Sequence, residues 1–119
     1  MFRYTLSMAL GLTLALAIAF AQDTPIRLGG NVAQANRIYV VNPVYPPEAK
    51  ESRIQGTVKL EITIDKEGHV GPMSVISGPP ELIHSATDAV SQWVYKPTLL
   101  NGQPVSVLTT VDINYTLAQ

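Results

Sequence analysis

His84 and Asp88 stand four residues apart, the spacing that puts two side chains on one face of a helix. An imidazole and a carboxylate so placed can begin a metal site, or form a general base with the group that orients it. Ser85 adjoins them and completes the residue types of a hydrolytic triad. Neighbours along a helix point about 100° apart, however, so Ser85 and His84 diverge. No third ligand accompanies the pair at a recognisable spacing, and the other histidine, His69, belongs to a loop. The chain has no cysteine, which removes thiolate nucleophiles, zinc–thiolate sites and disulfides. Its nine acidic residues are scattered and show no paired-carboxylate pattern. No glycine-rich phosphate loop follows a strand. The plain reading of His84 and Asp88 is an exposed helix pair. A small hydrolase or metal enzyme built on them is kept as an alternative; the expectation is no enzyme, no cofactor, no metal and no small-molecule substrate.

The elements that hold these residues are few. A chain of 119 residues has room for one small domain. Its formal net charge of -1 carries neither the basic footprint of a nucleic-acid binder nor a polybasic membrane patch. The N-terminus has the marks of an export signal. Arg3 is a short positive segment, Leu6 to Phe20 is apolar apart from Ser7 and Thr13, and Ala19-Phe20-Ala21 is a small-X-small cleavage site. The apolar run of about 15 residues falls short of the roughly 20 that span a bilayer as a helix. Residues 1–21 are therefore expected to be a cleaved signal, with an uncleaved inner-membrane anchor as the alternative. Cleavage removes Arg3 and leaves seven basic against nine acidic side chains, a net charge of -2.

Residues 22–37 are small and polar, with Gly29-Gly30 and no periodicity, and are expected to form a flexible lead-in. Residues 38–119 are expected to fold. Ile38 to Val41 is a possible short strand, broken by Asn42-Pro43. Pro46-Pro47 presets a helix start, and Glu48 to Arg53 forms a short helix with acids near its positive end. Thr57 to Asp65 alternates, with Val58, Leu60, Ile62 and Ile64 on one face. Asp65 to Gly68 is a hairpin loop, with Gly68 at the positive-φ position. Val70 to Ser77 returns, and Gly71-Pro72 marks a bulge or an edge. Glu81 to Val94 has helical period, with Leu82, Ala86, Ala89, Val90 and Trp93 in one apolar stripe. Asn101-Gly102 is a turn. Val105, Val107, Thr109, Val111, Ile113, Tyr115 and Leu117 then share one face of a long strand. The order helix, strand, strand, helix, strand predicts an α+β fold: a three-stranded antiparallel sheet with two helices packed on one face.

The last strand is the positive signal. Its outward face, Ser106, Leu108, Thr110, Asp112, Asn114 and Thr116, carries one charge. A long, weakly guarded edge is either a liability or a docking site. Adding a partner strand to such an edge uses main-chain hydrogen bonds for affinity. Two alternatives stay open: the same edge pairs with itself in a structural homodimer, or Ile38 to Val41 covers it. An aromatic binding surface of Tyr39, Tyr45 and Tyr95 is a further option, whereas Trp93 belongs to the core.

Several landmarks fall in order: Tyr45-Pro46-Pro47, Ala49, Gly56-X-Val58, Asp65-X-X-Gly68-His69-Val70, Val75-Ile76-Ser77-Gly78, Trp93-Val94-Tyr95-Lys96-Pro97 and Gly102-Gln103-Pro104-Val105. Together they resemble the C-terminal domain of the TonB family of periplasmic energy transducers, over about three-fifths of the chain. The resemblance implies a helix-on-sheet fold whose last strand, here Val105 to Leu117, pairs with an extended segment of an outer-membrane transporter. It also implies partner contact from Asn42, Pro43 and Val44. Two departures count against a complete transducer. The apolar segment lacks the coupling histidine of that family, and a lead-in from Gln22 to Asn36 spans only about 50 Å fully extended. The expectation is a periplasmic protein-binding module. The mature protein is predicted to begin at Gln22, which intact-mass measurement of the exported protein will read; a full-length mass in the membrane fraction would place the anchor alternative ahead.

Overall fold

A computed structural model of the chain describes residues 24–118. The signal segment and its cleavage site lie outside the described residues. Along the chain come β1 (Ile26–Arg27), α1 (Gly30–Ala35), β2 (Arg37–Tyr39), α2 (Pro47–Glu51), β3 (Gly56–Ile64), β4 (Val70–Ser77), α3 (Pro80–Val90), β5 (Val94–Tyr95), β6 (Thr98–Leu100), β7 (Gln103–Val105) and β8 (Val107–Tyr115).

The main sheet has the order β1-β8-β3-β4. Its three long strands are antiparallel, as the alternation requires, and β1 is a short parallel addition beside β8. Every second residue of β3 and β8 is buried: Val58, Leu60, Ile62 and Ile64 against Val107, Thr109, Val111, Ile113 and Tyr115. Leu82, Ala86, Ala89 and Val90 of α3 cover that face, with Ala49 of α2 and Ala33 of α1 in the same core. The helices therefore lie on one side of the sheet, in agreement with the expected α+β architecture. Thr109 is the one polar residue buried among the described residues, and its hydroxyl has no partner there.

The turns follow from local chemistry. Asp65 Oδ1 accepts from the backbone N–H groups of Glu67 and His69, each at 2.9 Å, closing the β3–β4 loop. Gly68 has φ 93°, and a Cβ there would stand 1.9 Å from the carbonyl oxygen of Tyr95, so no other residue fits. Asn101 and Gly102 both take positive φ, the two-residue turn that Asn-Gly favours, and join β6 to β7. The register of β4 shifts opposite Ile62 to Ile64, where Gly71-Pro72 interrupts it.

Three expectations change. The lead-in, read as having no periodic structure, contributes β1 and α1. Its anchors are Ala33, 2% exposed, and the Asn36 carbonyl, which accepts from Lys96 N at 2.7 Å. The final strand is not continuous from Val105 to Leu117. Val105 pairs with Thr98 in the β6–β7 hairpin, Ser106 lies between β7 and β8, and Thr116 follows β8. The helix ends at Val90, so Trp93 leaves the helical stripe but stays buried. Its indole Nε1 donates to the Val41 carbonyl at 2.8 Å, and the Arg37 guanidinium sits 4.3 Å from the ring centroid. Trp93 thus ties the segment before α2 to the core. Trp93→Ala should cost about 3–5 kcal/mol, and urea or thermal melting will measure it; a shift of only a degree or two would show that the ring contributes little to packing.

Candidate docking edge

The backbone of β8 points alternately to its two neighbours. Ser106 and Leu108 carbonyls accept from Ile26 N at 3.0 Å and Leu28 N at 2.9 Å, so even-numbered residues face β1. Alternation along the strand carries this to Thr110, Asp112 and Asn114, while odd-numbered residues from Val107 to Tyr115 face β3. β1 ends opposite Leu108. From Thr110 onward no strand pairs with this side of β8 among the described residues. The start of α1 closes on Thr110, where a Cβ at Gly30 would stand 3.1 Å from its carbonyl oxygen. Asp112 and Asn114 are exposed, and a groove of about 540 Å³ runs between the edge and α1, reaching Asn31, Gln34 and Arg37. Asn114 Oδ1 accepts from Thr57 Oγ1 at 2.6 Å on the solvent face.

The expected cover of this edge is different. Ile38 to Val41 does not reach it: Arg37 and Tyr39 pair with Tyr95 and Val94. The cover is β1, a segment too short for its Ile26-Arg27-Leu28 alternation to stand out, although Pro25 and Gly29 bound it. Gly30, Asn31 and Gln34 were likewise invisible as edge residues, because only tertiary packing brings α1 to β8.

Asn42, Pro43 and Val44 lie elsewhere, in an extended run beside α3. With His84, Ser85 and Asp88, Asn42 and Val44 line a second groove of about 450 Å³ that shares no residue with the first. Ser85 Oγ donates to the Val44 carbonyl at 2.5 Å and lies 2.9 Å from Tyr115 Oη. The serine proton is committed to Val44, so Tyr115 is the donor to Ser85. Tyr45 stacks edge-on against Tyr115, with centroids 5.3 Å apart, and its hydroxyl donates to the Ile54 carbonyl. Hydrogen bonds thus connect Val44 to β8 through Ser85 and Tyr115. Ser85 has no hydrogen bond to His84, and no cluster of three metal-binding side chains occurs among the described residues. His69 lies within 3.8–3.9 Å of Glu67 and Asp65 on an exposed loop.

The family profile of the Gram-negative bacterial TonB protein C-terminus matches residues 41–117. The chain belongs to this TonB C-terminal family. The family is not one of enzymes. The chain is 35% identical over 79 residues to Protein TonB of Vibrio cholerae, covering 65% of the chain and 32% of that protein. It is 34% identical over 77 residues to Protein TonB of Xanthomonas campestris, covering 63% and 34%. It thus spans about a third of these relatives. Among solved structures, the TonB C-terminal domain of Pseudomonas aeruginosa superposes with a TM-score of 0.61 at 24% identity, covering 70% of the chain and 86% of the domain. The TonB2 protein of Vibrio anguillarum gives 0.53 at 26% identity, covering 82% and 85%. The α+β fold is that of the TonB C-terminal domain.

Burial raises the Tyr115 phenol above its ordinary value, and the neighbouring Tyr45 adds to the shift. A raised phenol value stabilises the fold below the unfolded-state pKa, and that contribution is lost as pH rises through the folded value. Stability should therefore fall between pH 9 and pH 11 more steeply in the native chain than in Tyr115→Phe. Paired melts at the two pH values test this, and identical slopes would remove the role assigned to the phenol.

Proposed function

We propose that this chain is a protein-docking module of the periplasm that captures an extended segment of a partner by adding it as a strand to the free edge of β8. Membership of the TonB C-terminal family makes a segment of an outer-membrane transporter the favoured partner. One observation carries the reading: the outward backbone groups of Asp112 and Asn114 face an open groove with no strand beside them among the described residues. Each such residue offers a donor and an acceptor in line, the template that strand addition uses. Val105, Ser106, Leu108, Thr110 and Thr116, with Asn42, Pro43 and Val44, belong to the wider contact surface of this proposal. Ser106 and Leu108 enter it only when β1 is displaced.

The groove beside α3 is the weaker candidate for the same role. His84, Asp88, Glu48 and Glu81 surround it, but its walls hold no unpaired strand edge.

Asp112 gives the cleanest test. Its side chain is exposed, no residue of β3 depends on its N–H, and proline there removes one edge donor and blocks a close approach. Asp112→Pro is expected to keep a cooperative melt and to weaken binding of periplasm-facing transporter peptides about tenfold or more, about 1.4 kcal/mol. Asp112→Ala should stay within about threefold, because the main chain supplies the affinity. Val111→Pro, whose N–H faces β3, should destabilise the fold instead. Titration of labelled peptides against the three variants gives the answer, and a folded Asp112→Pro protein that binds like the native one would end the proposal. Loss of a dimer rather than of peptide binding in that variant would assign the edge to self-pairing.

A further inference from the structure

The edge that offers Asp112 and Asn114 to a partner is already half occupied by the chain itself. We propose that residues 24–30 are an internal ligand of the docking edge, a strand held in cis that an incoming strand displaces to reach Ser106 and Leu108. This rests on the docking role of β8.

The segment has the form of a docked strand. β1 runs parallel to β8, with Ile26 opposite Val107 and Arg27 opposite Leu108. Its amides at Ile26 and Leu28 donate to the Ser106 and Leu108 carbonyls. Its side chains alternate: Ile26 and Leu28 pack against the core, and Arg27 crosses the solvent face of β8 to Glu61 at 3.4 Å. A competing strand therefore needs the same pattern, apolar residues toward the core and a basic residue between them.

The segment is also built to leave. Its strand is two residues long, which is marginal without further support. Its ion pair is exposed, with the Arg27 side chain 67% accessible, and such pairs contribute little. The firm anchors, Ala33 and the Asn36 carbonyl, lie downstream, so residues 24–30 can peel away while the end of α1 stays fixed. Tethering gives the segment a high local concentration, so it competes with partners while binding weakly itself. Displacement of residues 24–30 adds the outward-facing residues Ser106, Leu108 and Thr110 to Asp112 and Asn114.

The absence of native cysteine permits a clean lock. Arg27 and Leu108 are register partners, so the double variant Arg27→Cys/Leu108→Cys can staple β1 to β8 on oxidation. The probe is a fluorescein-labelled peptide copying Thr24 to Gly30, read by anisotropy. The reduced protein should bind it, and oxidation should weaken binding about tenfold or more, as for an edge freed in only a tenth of molecules. Leu28→Pro removes the second amide donor without altering β8 and should bind the probe more tightly than the native chain. Should Leu28→Pro fail to fold, the oxidised and reduced forms of the staple make the same comparison. Equal binding by both forms, or no binding to any form, overturns the internal ligand. Failure of the docking role has a separate signature: transporter peptides that bind Asp112→Pro normally, whatever the probe does.

Discussion

The pairing of β3 with β8 is the constraint on which the rest of the molecule depends. It runs without a break from Gly56 opposite Tyr115 to Ile64 opposite Val107. In a strand, the direction of the backbone groups and the direction of the side chain both alternate with residue number. One parity therefore sorts β8 into two sets. Odd-numbered residues give their main chain to β3 and their side chains to the core. Even-numbered residues give their main chain to the opposite edge and their side chains to solvent. The residues that offer a docking template are thus the ones the core does not need. A slip of one residue would invert both properties together, burying Asp112 and exposing Val111. The buried face makes that slip costly and so fixes which amides a partner meets.

Helices and aromatic contacts keep that face covered rather than shaping a catalytic site. α3 lays its apolar stripe over β3 and β4, and Trp93 holds the Val41 carbonyl. The Tyr45–Tyr115–Ser85 contacts fasten the run before α2 to the end of β8. Ser85 is the instructive case. Beside His84 in sequence it has the type of a nucleophile, yet in the fold its proton goes to a backbone carbonyl and its lone pair receives a phenol. Its work is to join two segments distant in sequence.

The elements legible in the sequence were those whose signal is local and periodic. The alternation of Val58 to Ile64, the Asn101-Gly102 turn and the stripe Leu82, Ala86, Ala89 and Val90 each report their environment directly. The side-chain alternation of the last strand was equally clear, but its start was not. Val105 fits the same parity as Val107, and only the pairing of Thr98 with Val105 assigns it to a separate hairpin. The direction of each amide on β8 could not be read, because it depends on which neighbour lies on which side. The cover was missed for a related reason. Ile26-Arg27-Leu28 is too short to show a period, and Gly29-Gly30 suggests a linker until Gly30 is seen pressed against Thr110. Among the expected contact residues, Asn42 and Val44 line a different groove from Asp112 and Asn114, and Val44 is tied to β8 through Ser85 and Tyr115.

The two edges of the sheet are guarded differently, and the contrast bears on function. β4 carries Gly71-Pro72, whose proline has no amide to offer, and its register shifts twice against β3. Such features frustrate the addition of another strand. β8 has none of them. From Val107 to Tyr115 it has no proline, no glycine and no bulge, and Asp112 is its one charge. A sheet that blunts one edge through its own sequence and leaves the other straight needs another means of protecting the second. Here that means is a separate segment, β1 with the start of α1, laid over the first half. A permanent remedy, a proline or a lysine within β8, would guard the edge equally well and would also close it to every partner. A cover that is not part of the strand guards the edge and leaves the template beneath it intact.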